Sequence, residues 1–398
     1  MASSASSIRD AISTAELERR WSASRAAMRQ AGLDAIVMQS AEDWMGGYTR
    51  WFTDTPATNA YPRSVIFPLD GLMTTCEVGI FGGEWSYNGE HPEFRGIGKR
   101  VSTPSFNGAV DYTARYDAEL MANEIRNRGY RRVGLVGANG MYHGFAQGLK
   151  DLLPDLDWAD ATDAIDALKA IKSPEEIGLI RATAAMQDEV MTELLAYVRP
   201  GMKEFEVAAY MQYLTTLKGG AQGLYIVMAT PPGQPSFVKP KFMQGRTIEK
   251  GDVVGIMIEC NGPGGFYTHL FRFAVMGKAP HEIVDAHKLV LEAEQNVLDR
   301  MKPGASCKEV FEEHNKFMRA RGLPEERRIL CHGQGYEMVE RPLIRQDEKM
   351  TVQENMNMGL HAAMVVGKNF MSNTNNFLIG PDGPERLHQT PQQLFEIV

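Results

Sequence analysis

Cysteine is scarce in this sequence, with four in 398 residues, and the four show no paired spacing. So few thiols in so long a chain do not make a disulfide framework, which excludes the small secreted scaffolds and fits a reducing compartment. The first residues, 1–14, carry no apolar segment of the secretory kind, so no signal peptide is expected. We therefore expect a cytoplasmic protein.

Long hydrophobic runs and clusters of basic charge are also missing. No apolar stretch approaches the roughly 18 residues of a membrane span, so we expect no membrane partner. The formal net charge is −8, from 42 basic and 50 acidic residues, and no Lys/Arg run stands out, so nucleic acid is not an expected partner. Hydrophobic residues make up 43% of the chain, which is typical of a globular protein with a large core.

The first part of the chain alternates helix and strand patterns. An amphipathic helix pattern covers residues 15–32, a strand pattern follows at 34–39, and a hairpin pattern covers 64–78. This alternation predicts a small α/β domain over residues 1–165.

The second part begins with a strong helix start. Ser173 is a favourable N-cap residue, Pro174 suits the first helical position, and two acidic residues complete the first turn. Further helix patterns alternate with strand patterns, and the stretch 327–380 is rich in strand patterns. The sequence therefore predicts an α/β (α+β) protein whose second domain covers residues 166–398.

Six short motifs follow one another in the second part. They are K-S-P-E-E at 172–176, R-P-G-M-K-E at 199–204, K-G-D at 250–252, K-P-G at 302–304, H-G-x-G at 332–335 and E-x-P at 340–342. Their order and spacing resemble the creatinase, prolidase and aminopeptidase P group, the M24-like family with the pita-bread fold. The chain looks like a divergent, non-peptidase member of it. The resemblance implies a creatinase-like amino-terminal domain, a pita-bread catalytic domain and a homodimer.

The resemblance also implies where the site lies. Peptidases of the family hold two metals with two Asp, one His and two Glu, and the matching positions here are Met257, His269, His332, His361 and Asn373. Methionine cannot replace a carboxylate as a ligand for a hard divalent ion, so the second metal position is lost. The three histidines fall at positions of the first metal, and we predict that they bind one metal ion while Asn373 contacts the substrate.

Three neutral imidazoles suit zinc or iron. Zinc with three histidines and an open position makes water acidic enough to react at neutral pH. Iron(II) with three ligands and open positions can bind O₂, although its commoner set is two histidines and a carboxylate. A metal-free site, in which the histidines bind or protonate the substrate, is the alternative, and ordinary core histidines are a third.

Two glutamates are candidates for catalysis. Glu259 follows Met257 by two residues on one strand, so both side chains share a face, and Glu259 could be a general base or a further ligand. Glu340 matches the Glu of the family's E-x-P motif and could orient His332 or the substrate.

Three basic residues are candidates for substrate binding. Arg272 matches a family arginine that more often braces the site than reacts. Lys239 could anchor a substrate carboxylate, with solvent exposure as the alternative. By analogy with related enzymes, Arg63 lies in the region that contacts the neighbouring subunit's site.

These features predict a metal-assisted hydrolase or lyase that cuts a C–N or similar bond of a small polar metabolite. A peptidase is not expected, because the two-metal set is incomplete and Val339 replaces the motif's second histidine. The alternatives are a three-histidine iron oxygenase, a metal-free creatinase-like amidinohydrolase and a non-catalytic pita-bread binding protein.

Overall fold

The computed structural model describes residues 8–42, 47–57, 59–106, 109–110 and 112–398. Residues 1–7 of the amino-terminal stretch, where no signal peptide is expected, lie outside the described residues. The chain divides into two compact units, the first ending at Lys169 and the second beginning at Ala170. The predicted boundary was residue 165.

The first unit is built from short strands and helices. Its elements are α1 (Thr14–Ala31), β1 (Ala35–Ser40), α2 (Gly47–Thr53), β2 (Arg63–Pro68), β3 (Met73–Val78), β4 (Gly83–Ser86), β5 (Ile97–Thr103), α3 (Thr113–Asn127), β6 (Arg132–Leu135), α4 (His143–Leu152), β7 (Asp157–Asp160) and α5 (Thr162–Ala170). Among the described residues, seven strands form one mixed sheet in the order β4-β5-β3-β2-β1-β6-β7. The predicted hairpin is β2 and β3, which pair antiparallel.

The second unit combines longer helices with a larger sheet. Its elements are α6 (Pro174–Tyr197), α7 (Glu204–Leu217), β8 (Gly223–Thr230), β9 (Val253–Asn261), β10 (Tyr267–Val275), α8 (His281–Leu298), α9 (Cys307–Ala320), β11 (Cys331–Gly333), β12 (Glu340–Ile344), β13 (Asn357–Val366), β14 (Asn369–Gly380), β15 (Gly383–Arg386) and β16 (Phe395–Glu396). The main path of the sheet, within residues 112–398, runs β12-β11-β13-β14-β10-β9-β8.

Helix α6 begins where the sequence predicts. The Ser173 hydroxyl accepts a hydrogen bond from the Glu176 N–H at 3.2 Å, and the Glu176 carboxylate accepts one from the Ser173 N–H at 2.7 Å. This capping box satisfies two N–H groups that a helix start leaves without partners. The predicted N-cap is confirmed.

Helices cover one face of the large sheet. Ile256 and Ile258 of β9 and Leu270 of β10 pack in one apolar cluster with α6 and α7, through residues such as Val190 and Val207. Because side chains alternate along a strand, the residues between these positions point to the other face. That other face carries the candidate site and is called the site face below. No helix in the described part of the chain is both long and apolar enough to cross a bilayer.

Glu348 ties β12 to the loop that follows it. Its carboxylate pairs with Arg341 at 2.7 Å and accepts the N–H groups of Leu343 and Met350 at 3.1 Å each. Burial alone would raise the pKa of Glu348, but Arg341 and these N–H groups outweigh burial and lower the pKa to about 2. The folded state therefore favours the ionised carboxylate.

This ion pair predicts a specific dependence of stability on pH. A carboxylate with a lowered folded-state pKa stabilises the fold above its unfolded pKa of about 4.3, and the contribution is lost as pH falls through the folded value. We expect Glu348→Gln to lower the free energy of unfolding at pH 7. We expect the difference from the wild type to shrink below about pH 4.3, in urea titrations at several pH values. A difference that stays constant as the pH falls would contradict this account.

Candidate active site

The three predicted histidines lie on the site face. Residues directly opposite on neighbouring antiparallel strands share a face, and so do residues two apart on one strand. His269 pairs with Glu259, Phe271 pairs with Thr374, Thr374 pairs with His361, and Gly359 pairs with His332. These pairings connect β9, β10, β14, β13 and β11 across the sheet, so the strand register itself gathers side chains that are far apart in sequence.

Glu259, His269 and His332 form the set that could hold a metal ion. Each offers one ligand atom, and these atoms all lie within 4.8 Å of one another. All three residues are buried, with exposures of 6%, 6% and 3%. The set contains two imidazoles and a carboxylate, so Glu259 joins two of the three predicted metal ligands.

His269 has two buried ring nitrogens that have no hydrogen-bond partner among the described residues. Its Nδ1 lies 3.4 Å from Oε1 of Glu259, and the two do not form a hydrogen bond. Burial, followed by the nearby His361, His332 and His388, lowers the pKa of His269 well below its ordinary value. The ring is therefore neutral at pH 7 and keeps a lone pair for a cation.

His332 is held in one tautomer. Its Nδ1 lies 3.0 Å from the carbonyl oxygen of Gly333, which can only accept, so Nδ1 carries the hydrogen and donates it. Burial lowers the pKa of His332, and this hydrogen bond opposes the effect in part. Nε2 therefore bears the lone pair, the arrangement found in metal-binding histidines whose other nitrogen is hydrogen-bonded.

Glu259 is a carboxyl group in a dry environment. Burial raises its pKa to about 8, against a hydrogen bond from Gln334 that lowers it. A buried carboxylate needs a positive partner or several donors, and a cation beside it would favour the ionised form.

His361 lies beside this set. Its ring centroid is 5.2 Å from that of His332 and 6.0 Å from that of His269. It does not belong to the group whose ligand atoms all meet within 4.8 Å. Burial, then the charge of His332 and then that of Arg328, lower its pKa to about 3, so the imidazole is neutral at pH 7.

The donor set fits a divalent transition metal. Two histidines and a glutamate with an open position form a donor set of catalytic zinc sites. An unsatisfied buried polar group costs about 1–3 kcal/mol, and His269 carries two such nitrogens that a cation would relieve in part. The chemistry of these residues therefore fits a bound metal ion better than it fits a metal-free site.

Arg272 and Asn373 do not face the histidines, which corrects their predicted substrate contact. Arg272 is 1% exposed and donates to the side chains of Asn373 at 3.1 Å and Asn375 at 2.6 Å and to several backbone carbonyls. Asn373 and Asn375 both donate to Glu294 of α8. The network lies on the helix-covered face, so these residues brace the sheet from behind.

The predicted roles of Glu340 and Lys239 also change with their contacts. Glu340 forms a buried ion pair with Lys172 at 2.9 Å, so its carboxylate has a structural partner. Lys239 pairs with Glu204 and donates to the carbonyl of Ala229 at 3.2 Å, so it is not free to anchor a substrate there.

Arg63 lies in the first unit. It donates to the Thr55 carbonyl at 2.8 Å and pairs with Glu77 at 3.2 Å. Its predicted contact with a neighbouring subunit, and the homodimer itself, stay predictions.

Sequence reasoning missed two polar residues near the histidines. Thr374 is fully buried on the site face, and its hydroxyl has no hydrogen-bond partner within the described residues. Asn373, which the sequence count selected, directly precedes Thr374, and a one-residue shift in a strand moves a side chain to the opposite face. Gln334 was visible as the x of H-G-x-G, but its contact with Glu259, 75 positions away, depends on the fold.

The fold and the site together define a two-domain α/β protein with a metal-donor set on one face of its larger sheet. The chain belongs to the metallopeptidase family M24, whose family model matches residues 178–377. The predicted fold class and pita-bread architecture are confirmed.

Curated relatives and a solved structure agree with this assignment. An Xaa-Pro dipeptidase of Pyrococcus horikoshii is 25% identical over 258 residues, which cover 63% of this chain and 72% of that relative. An Xaa-Pro dipeptidase of Pyrococcus furiosus is 26% identical over 229 residues, which cover 56% of this chain and 64% of that relative. A prolidase from Thermococcus sibiricus has a similar fold, with a TM-score of 0.77 at 19% identity, over 96% of this chain and 99% of that one.

These comparisons correct the predicted function. The family is one of metallopeptidases, and the two curated relatives described above are named Xaa-Pro dipeptidases. The prediction of an enzyme outside the peptidases is therefore wrong, and its oxygenase, metal-free and non-catalytic alternatives gain no support. What family membership supports is an enzyme of the hydrolase class with a metal-binding site.

Proposed function

We propose that this protein is a metal-dependent hydrolase that cleaves the amide C–N bond of a short, dipeptide-sized substrate. The observation that carries the proposal is the buried set of Glu259, His269 and His332 on the site face of an M24 chain. The similarity to proteins named Xaa-Pro dipeptidase and prolidase supports the substrate class.

The metal would be a single divalent ion, zinc or iron, held by Glu259, His269 and His332, because these donors suit both. When bound, such an ion supplies Lewis-acid chemistry, polarising a carbonyl group and making water more acidic. We include His361 as an additional donor, as the sequence predicts, because its neutral ring lies on the same face beside His332.

The reaction adds the oxygen of water to the scissile carbonyl carbon, breaks the C–N bond and moves a proton from the water to the leaving amine nitrogen. The chain's own groups prepare this step. Nδ1–H of His332 stays on the Gly333 carbonyl and directs Nε2 into the site. Burial raises the pKa of Glu259 to about 8, and a cation held beside it would favour the ionised carboxylate that serves as a ligand.

A small cavity lies along β13, the strand that carries His361. It has a volume of about 220 Å³ and is lined by residues that include Arg328, Ala363, Met364 and Phe370. Ala363 follows His361 by two residues on β13, so the two share a face. Pockets for drug-sized ligands measure about 300–1,000 Å³, and we propose that this smaller cavity takes one side chain of a short substrate.

The proposal is tested with chelator-treated protein reloaded with Zn²⁺, Co²⁺ or Mn²⁺, or with Fe²⁺ under anaerobic conditions. We expect release of free amino acids from a dipeptide panel that includes Xaa-Pro substrates, and loss of release after chelation. His269→Ala and His332→Ala should lose metal and activity, and His361→Ala should lose metal affinity to a smaller extent.

His314 provides the matched control, since it is 1% exposed and both its ring nitrogens lack partners among the described residues. His314→Ala removes a similarly buried histidine from α9 and should retain the metal content of the wild type. If every dipeptide stays intact in all metal states, the proposed activity is wrong, whatever the metal content.

A further inference from the structure

Gln334 joins the H-G-x-G turn to the metal-donor set. It is fully buried, and its Nε2 donates to Oε1 of Glu259 at 2.9 Å and to the carbonyl oxygen of Met338 at 2.9 Å. Both N–H groups of the amide are thus used, one of them on the carboxylate. The side chain therefore fixes one oxygen of Glu259 in place.

The orientation of this amide is determined by Asn376. Nδ2 of Asn376 donates to Oε1 of Gln334 at 2.8 Å and to Oδ1 of Asn357 at 2.9 Å. Oδ1 of Asn376 accepts the backbone N–H of His269 at 2.6 Å. A flipped Gln334 amide would point its oxygen at the oxygens of Glu259 and Met338 and its N–H groups at Asn376, so only one orientation satisfies every partner.

The backbone around Gln334 is also shaped for the amide. Its N–H donates to the Asn357 carbonyl at 2.9 Å, and Nδ2 of Asn357 donates to the Gln334 carbonyl at 3.1 Å. A Cβ at Gly359 would lie only 3.2 Å from Oε1 of Gln334 and 3.5 Å from Cε1 of His332. A glycine at this point of β13 therefore leaves room for the amide and the imidazole side by side.

We propose that Gln334 is a positioning residue that holds the Glu259 carboxylate beside His269, so that the metal donors are assembled before the metal binds. The inference rests on the proposed function for the identity of the donor set. It goes beyond that set because Gln334 itself offers no ligand atom to the ion. Hydrogen bonds through Asn376 and Gln334 also connect the backbone of His269 to the carboxylate of Glu259. The two donors are therefore held by one hydrogen-bond network.

The test measures metal affinity in the absence of substrate. Metal-free wild-type protein and the Gln334→Met variant are titrated with Co²⁺, followed by calorimetry and by the visible absorption of the bound ion. Methionine keeps the volume and removes the amide. Because loss of a group that orients a metal ligand typically weakens metal binding ~10–100-fold, we expect a loss in this range with an altered cobalt spectrum.

Gln334→Asn serves as a second variant in case the methionine variant does not fold. Asparagine retains the amide but is one methylene shorter, so it withdraws the donor from Glu259 and should also weaken Co²⁺ binding. The control is Gln244→Met, since Gln244 is 3% exposed and its side-chain amide bonds backbone groups of Tyr225 and Val227 instead of the Glu259 carboxylate. The Gln244→Met variant should be less stable than the wild type but should bind Co²⁺ with the same affinity and the same absorption spectrum.

The outcomes separate this inference from the proposed function. If a folded Gln334 variant binds Co²⁺ with the affinity and spectrum of the wild type, the positioning role is overturned and the proposed function is unaffected. Weakened binding in Gln334→Met and Gln244→Met alike would also overturn it, because the effect would then reflect general destabilisation. Wild-type protein that takes up no Co²⁺ would overturn both, whereas Co²⁺ uptake without dipeptide hydrolysis would overturn only the activity.

Discussion

Replacing Glu259 by glutamine is expected to remove metal binding and hydrolysis while the chain stays folded. The substitution keeps the shape of the side chain but removes the only carboxylate of the donor set. Removing a residue that only hydrogen-bonds a metal ligand lowers metal affinity or activity by ~10–100-fold. Removing the ligand itself should therefore lower kcat/KM by more than about 100-fold. Metal content and dipeptide hydrolysis, measured on the same preparation, check this result.

Glu204→Gln is the matched control for that substitution. Glu204 is also fully buried in the second unit, where it accepts the Ala229 N–H at 2.6 Å and pairs with Lys239. Its loss should lower stability and leave the metal content unchanged. A Glu259→Gln protein that binds metal as tightly as the wild type would show that the histidines suffice and that Glu259 is not a donor.

Replacing Arg272 by methionine is expected to lower the free energy of unfolding by about 3–5 kcal/mol, the usual effect of leaving the opposite charge of a buried, hydrogen-bonded network uncompensated. Burial lowers the pKa of Arg272 to about 10, against the neighbouring Glu294 carboxylate that raises it, so the guanidinium is charged at pH 7. Removing it leaves Asn373 and Asn375 without their common donor, and it takes a positive charge away from Glu294, to which both asparagine amides donate. Urea unfolding measures the loss.

Two further variants distinguish this bracing role from substrate binding. Arg272→Met combined with Glu294→Gln removes both charges and should recover part of the lost stability, because neither charge is then left unpaired. Arg272→Lys keeps the charge but loses the planar fork, so it should be intermediate in stability with an unchanged KM for dipeptides. A raised KM with normal stability would instead support the substrate contact that the sequence suggested.

Local patterns in the sequence were enough to predict individual helices and turns. Helix α6 starts at Ser173 and Pro174 because side-chain capping and the fixed φ of proline act within a few residues. The β2–β3 hairpin follows equally local rules. The family resemblance of the motifs selected His269 and His332, and both lie in strands of the large sheet.

The composition of the site could be predicted only in part. Glu259 was recognised as a candidate because strand alternation places it on a face with Met257, but its membership in the donor set depends on its pairing with His269. His361 was placed beside His332 correctly, whereas Asn373 was assigned to the wrong face of β14. An error of one residue in the sequence moves the side chain to the opposite face of the sheet, because side chains alternate along a strand with a period of two.

The sequence by itself determined the alternation of helices and strands and the start of α6, because capping, turn preference and hydrophobic periodicity are local, and the family resemblance of its motifs selected His269 and His332. Only the tertiary structure decided which side chains meet. The register of β9, β10, β14, β13 and β11 brings Glu259 to His269 and His332, and Gln334 to Glu259. Burial, which shifts the pKa values of these groups, is likewise a property of the packed sheet and helices, and no single segment of the chain carries it.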